Sequence, residues 1–173
     1  MRTQNFLFVL LFAVASSLSS CYTSYYYVVR HAEKEATPAD NPSLTAAGRQ
    51  RAIVLCDTLR NKNVTKIFVS QYLRTQQTAQ PTTSFLNLSP IQYNASEPVA
   101  NLVAQLRAAS GSNVLVVGHS NTVPEIVLSL TGTSISPIAD NDFDNFFIIK
   151  RVKNPNSDVF TLFRTGTYGA PSP

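Results

Sequence analysis

Residues 113–117, Asn-Val-Leu-Val-Val, are apolar almost without interruption and stop at Gly118. A strand wetted on one face alternates apolar with polar side chains, so an unbroken run belongs to a strand covered on both faces, as in the middle of a parallel sheet. Parallel strands need crossover connections, and the flanking sequence supplies candidates. Tyr25–Val29 is a β-rich run, and Leu44 to about Arg60 has helical periodicity with Ala52, Cys56 and Leu59 on one side. Lys66–Val69 reads as a second strand, followed from about Tyr72 by a helix that Pro81 should interrupt or bend, then by a short strand at Ile91–Tyr93. Ser96 as N-cap and Pro98 in the first turn open a helix with Val99, Leu102, Val103 and Leu106 along one stripe. Thr122-Val123-Pro124-Glu125 has capping-box spacing and starts another, with Val123, Ile126, Val127 and Leu130 aligned. Phe146–Val152 and Val159–Arg164 read as an antiparallel pair across Asn154-Pro155-Asn156. This alternation predicts an α/β fold, a three-layer α/β/α arrangement whose central sheet is mostly parallel.

The 173 residues amount to one domain, and 44% hydrophobic against 14% charged residues is a globular rather than a disordered composition. Lys and Arg are scattered and never form a run of three, so no nucleic-acid-binding stripe is expected. Phe6–Leu18 is an apolar stretch short for a membrane span, and it ends in Leu18-Ser19-Ser20-Cys21, which resembles a bacterial lipobox. Residues 1–20 are accordingly expected to be a signal peptide and Cys21 to be lipidated. Residues 21–24 would be a linker, 25–165 the folded domain and 166–173 a flexible tail, giving an exported protein held at a membrane. A noncleaved anchor, or an ordinary signal with a chance Cys, is the alternative. With Cys21 acylated, Cys56 has no disulfide partner and reads as a small core residue on its helical stripe. Asn63-Val64-Thr65 and Asn94-Ala95-Ser96 match glycosylation triplets, which arise often by chance.

In an open parallel sheet, ligands bind beyond the carboxyl ends of the strands. The first strand ends in Arg30-His31, the second leads through Ser70 and Gln71 to Arg74, and the apolar central strand ends in Gly118-His119. His31 and His119 are the two histidines of the chain, and the topology brings them to one edge with two arginines. Two guanidinium groups would repel a cation, and neither His has a carboxylate at metal-ligand spacing, so no metal is expected. They suit an anion such as phosphate, and unpaired N–H groups at the helix start near Arg74 should point the same way. A neutral His in such surroundings can attack phosphorus if its other nitrogen is held by a backbone acceptor.

Val28-Val29-Arg30-His31-Ala32-Glu33-Lys34 resembles the Arg-His-Gly signature of the histidine phosphatase (phosphoglycerate mutase-like) superfamily. Leu44-Thr45-Ala46-Ala47-Gly48 resembles that family's helix start, Ser70-Gln71-Tyr72-Leu73-Arg74-Thr75-Gln76-Gln77-Thr78-Ala79 its second Arg motif, and Val116-Val117-Gly118-His119-Ser120 its second His motif. The match is ordered and spans residues 25 to about 165. The resemblance implies a phosphatase of the histidine acid phosphatase type that needs no cofactor and acts on a phosphorylated small molecule. His31 would become phosphorylated, Arg30 and Arg74 would hold the phosphoryl oxygens, His119 would donate to an oxygen gaining charge, and water would cleave the intermediate. Lys34 and Ser120, beside the two His motifs, are expected substrate-binding residues.

Two features depart from the family pattern. Ala32 stands where Gly is usual, which requires that this position need no positive φ. The general acid is open: Glu97 follows a strand in about the expected region but also reads as a first-turn carboxylate favoured by the helix dipole, and Glu33 and Lys34 are other pocket candidates. Asp140, Asp142 and Asp144 imitate the start of a calcium loop, but Asn145 and Arg151 occupy its Gly and Glu positions, so they read as solvated charges. With no long insertion to cover the site, a phosphatase open to water is favoured over a mutase, and export argues against phosphorelay proteins as substrates. A noncatalytic lipoprotein binding an anionic ligand in the same pocket is the competing function. Selectivity is expected from loops 33–43 and 131–145.

Overall fold

The computed structural model describes residues 21–172, so the signal peptide expected over residues 1–20 lies outside the described residues. The elements run β1 (Tyr22–Arg30), α1 (Ala46–Leu59), β2 (Val64–Ser70), α2 (Leu73–Leu86), β3 (Ile91–Tyr93), α3 (Val99–Ala108), β4 (Asn113–Gly118), α4 (Thr122–Thr131), β5 (Asn145–Asn154) and β6 (Ser157–Thr167). The strands form one sheet in the order β3-β2-β4-β1-β5-β6. The apolar run at 113–117 is indeed central: β4 lies parallel between β2 and β1, and Val114 to Val117 are all 0% exposed. β5 is antiparallel to both β1 and β6, so it is the one reversed strand in a mostly parallel sheet.

Alternate residues of β1 and β4 feed opposite layers, as the two-residue period of a strand requires. Tyr27, Val29, Leu115 and Val117 pack with Leu55 and Leu59 of α1 and Ala79 of α2. Tyr26, Val28, Val114 and Val116 pack on the other face with Leu102 and Leu106 of α3 and Val123, Ile126 and Val127 of α4. The α/β/α layering thus follows from each strand's burying both faces.

Several local expectations are corrected. α2 runs through Pro81 without interruption, because the buried face formed by Thr75, Thr78, Ala79 and Thr82 holds both flanks in place and outweighs one missing N–H. The N-cap of α3 is Pro98 rather than Ser96, whose hydroxyl accepts from the Gln71 side chain at 3.5 Å instead of from the helix. Thr122 is inside α4 rather than capping it, since its hydroxyl accepts the His119 N–H instead. Residues 21–24 are not a linker: Tyr22–Ser24 already pair with Arg151–Lys153 of β5. Nor is the described part of the expected 166–173 tail, up to Ser172, loose, because β6 extends to Thr167 and Tyr168 is only 4% exposed. Arg51 donates to the carbonyls of Tyr168 and Ala170, and Ser172 hydrogen-bonds Phe143 and Asp144.

β1 and β4 are neighbours, yet β1 continues towards α1 on one face and β4 towards α4 on the other. This divergence opens a crevice at their carboxyl ends, where loops leave in opposite directions and a ligand can enter.

Candidate active site

The register pairs Arg30 with Gly118, and the His31 N–H donates to the Gly118 carbonyl at 2.9 Å, so the two histidine-bearing loops are joined at their first residue. Gly118 is required by space. A Cβ there would stand 2.9 Å from the Thr122 hydroxyl and 3.1 Å from Val123, which hold the turn that presents His119. The imidazoles of His31 and His119 lie edge to face with centroids 5.4 Å apart, exposed by only 3% and 7%. Together with Arg30, Lys34, Tyr72, Arg74, Ala95, Ser120, Asn121 and Asp140 they line a cavity of about 300 Å³.

His31 Nδ1 lies 2.8 Å from the Ala32 carbonyl, which can only accept, so Nδ1 carries the proton and Nε2 holds the free electron pair. Burial, with lesser contributions from His119, Arg30 and Arg74, pushes the His31 pKa down to about 3. His119 is pushed down to about 4, again mainly by burial and then by Arg74 and Arg30. Both rings are therefore neutral near pH 7, and His31 is available as a nucleophile of fixed tautomer.

Arg30 is held from behind. Its Nη1 donates to the carbonyls of Ala139 and Asp142 at 2.5 and 3.0 Å, and the Phe143 ring lies 4.5 Å from its guanidinium carbon. Arg74 rests over the Tyr72 ring at 4.2 Å. The Nε atoms of both arginines are buried with no hydrogen-bond partner among the described residues. An unsatisfied buried donor costs about 1–3 kcal/mol, which a bound oxyanion would recover. The helix start contributes less than expected: Leu73 N–H is taken by the Asn41 side chain, and Thr75 and Gln76 N–H both turn back to the Tyr72 carbonyl. The positive field is thus mainly one of side chains.

Among the expected site residues, Arg30, His31, Lys34, Arg74, His119 and Ser120 meet in the cavity. Glu97 does not line it. It is exposed and engaged by the side-chain amides of Asn94 and Asn101. Glu33 is also drawn away, into a bidentate pair with buried Arg51 at 2.6–3.0 Å. The carboxylate that does reach the rim is the exposed Asp140, 3.9 Å from Arg30. Asp142 and Asp144 are partly buried, Asp144 receiving the Ser172 N–H, so only Asp140 fits the expectation of a solvated charge. Ala32 lies outside the positive-φ residues and packs with Leu44 and Ala52, while its N–H donates to the Thr78 hydroxyl. Its methyl group is therefore accommodated without backbone strain.

Tyr72, Asn121 and Asp140 were not anticipated. Tyr72 sits between Ser70 and Arg74 in the sequence, and that position at the strand-to-helix turn was the available signal. Asp140 lies in the 131–145 loop from which selectivity was expected, but without periodicity that loop does not show which of its side chains reaches the cavity.

Residues 26–97 match the model of the histidine phosphatase superfamily, branch 1. The comparison with curated proteins gives no match. Among solved structures, the protein histidine phosphatase SixA complexed with tungstate is similar at 21% identity, covering 83% of this chain and 96% of its own, with a TM-score of 0.65. A mycobacterial glucosyl-3-phosphoglycerate phosphatase is similar at 13% identity, covering 86% of this chain and 100% of its own, with a TM-score of 0.64. At these identities the likeness is one of fold.

Proposed function

We propose that this chain, whose residues 26–97 match the histidine phosphatase superfamily model, hydrolyses phosphomonoesters or a related phosphoryl compound through a phosphohistidine on His31. One observation carries the reading: two neutral histidines and two arginines with unsatisfied buried N–H groups converge on one cavity, and the nucleophile's tautomer is fixed by a backbone carbonyl. His31 Nε2 attacks phosphorus as the bond to the leaving oxygen breaks. Arg30 and Arg74 carry the charge on the phosphoryl oxygens, and His119 donates to one of them. Water then attacks the phosphohistidine, giving phosphate and returning His31 to its neutral form.

The carboxylate at the cavity is a single exposed aspartate on its rim. A leaving group that is already a good acid can depart without protonation, so such substrates should react fastest. On the lipobox-like sequence we also infer that the protein is exported and tethered through lipid on Cys21, which is exposed and immediately precedes β1. Residues 22–173 and the His31→Ala variant, assayed with an activated aryl phosphate across pH, test the enzymatic reading. Loss of turnover in the variant is expected, and equal rates would overturn it in favour of a binding protein.

A further inference from the structure

Beside His119, and outside the lining of the cavity, lies a buried group of hydroxyls that the reaction as described does not use. His119 Nε2 is 3.0 Å from the Ser70 hydroxyl, which is 2.9 Å from the Thr75 hydroxyl. Ser70 and Thr75 are both 0% exposed, so every proton in the group needs a defined acceptor. Two backbone donors are fixed: Tyr72 N–H points to the Ser70 Oγ at 3.3 Å and Ser70 N–H to the Thr75 Oγ1 at 3.1 Å.

With one proton shared between the two hydroxyl oxygens, 2.9 Å apart, two proton orders remain. In one, Thr75 donates to the Tyr72 carbonyl at 2.8 Å or the Ser70 carbonyl at 3.2 Å, Ser70 donates to Thr75, and His119 Nε2–H donates to Ser70. Nδ1 then carries a lone pair, which would repel an anionic oxygen. In the other, Thr75 donates to Ser70, and Tyr72 N–H fills the second lone pair of Ser70, whose own proton must go to His119 Nε2. A neutral imidazole that accepts at Nε2 is protonated at Nδ1, the nitrogen left to donate to a ligand. The Tyr72 carbonyl is not orphaned by this change, because the Thr75 and Gln76 N–H groups also donate to it.

We propose that Ser70 and Thr75 are positioning residues whose paired hydroxyls hold His119 in the Nδ1–H tautomer when a phosphoryl anion occupies the cavity. The proposal rests on the phosphatase reading and deepens it: the second histidine donates to the substrate oxygen without being an imidazolium. Burial, which keeps this ring neutral at ordinary pH, is consistent with that role.

The test is ¹⁵N-histidine NMR of residues 22–173 with and without orthovanadate, the two histidines being distinguished with His31→Ala. In the vanadate complex, His119 is expected protonated at Nδ1. Ser70→Ala should lose that preference and weaken vanadate binding about tenfold, Thr75→Val should do so in part, and Thr75→Ser should restore both. If Ser70→Ala does not fold, the Thr75→Val and Thr75→Ser pair and the wild-type tautomer decide. A wild-type protein that hydrolyses aryl phosphate while His119 stays protonated at Nε2 in the complex overturns the relay alone. One that neither hydrolyses nor binds vanadate overturns the phosphatase reading as well.

Discussion

Arg74 and Glu97 separate what a motif can promise from what a side chain can do. Arg74 has a buried Nε without a partner among the described residues and lines the cavity, so Arg74→Ala should lower kcat/KM for an aryl phosphate by about 10²–10³-fold, the loss typical of a preorganised charge donor. Steady-state kinetics check this. Glu97 is exposed and occupied by two asparagine amides, so Glu97→Gln should leave the same rate within about twofold. A larger loss would return it to the candidates for the acid. The arginines and histidines were legible because each follows an apolar strand, where topology alone delivers it to the ligand edge. The acid was not, since a carboxylate's reach depends on which partner captures it. Glu33, two residues beyond the nucleophile, is captured by Arg51.

Elements were legible wherever a period was long, and least so at their ends. The stripe of α1 and the unbroken run of β4 predicted their burial, whereas the starts of α3 and α4 depended on which side chain satisfied a particular N–H. Thr45 is a cap that does form, its hydroxyl accepting the Gly48 N–H at 3.0 Å, and Thr45→Ala should cost about 1 kcal/mol in urea unfolding. Gly48 has a second reason to be there. A Cβ at this position would come 2.1 Å from the Glu33 carbonyl oxygen, the same oxygen that accepts the Thr45 N–H. Gly48→Ala must push the loop after His31 away from α1, so it should destabilise by about 1–3 kcal/mol and reduce turnover together. Unchanged stability in the same unfolding experiment would show that this approach is not tight.

At the scale of the whole molecule, the buried neutral histidines link folding to pH. Their folded pKa values, about 3 and 4, lie below the ordinary value of 6.5. Between those limits the unfolded chain binds more protons, so stability is fully present above about pH 6.5 and is lost progressively as pH falls through about 4 and towards about 3. Thermal midpoints should drop over that window, and less steeply in His31→Asn; parallel profiles would contradict the assignment. Burial of this kind could not be read from the sequence, because it comes from the Phe143 loop and from β strands far apart in the chain. The position of Cys21 has a further consequence. Only the nine residues of β1 separate it from the Arg30-His31 end of the strand, about 30 Å at ~3.3 Å per residue. On the tethering proposed above, and with β1 standing along the membrane normal, that length would hold the chemistry clear of the lipid headgroups. The natural substrate should then be a molecule dissolved in the surrounding water rather than one embedded in the bilayer.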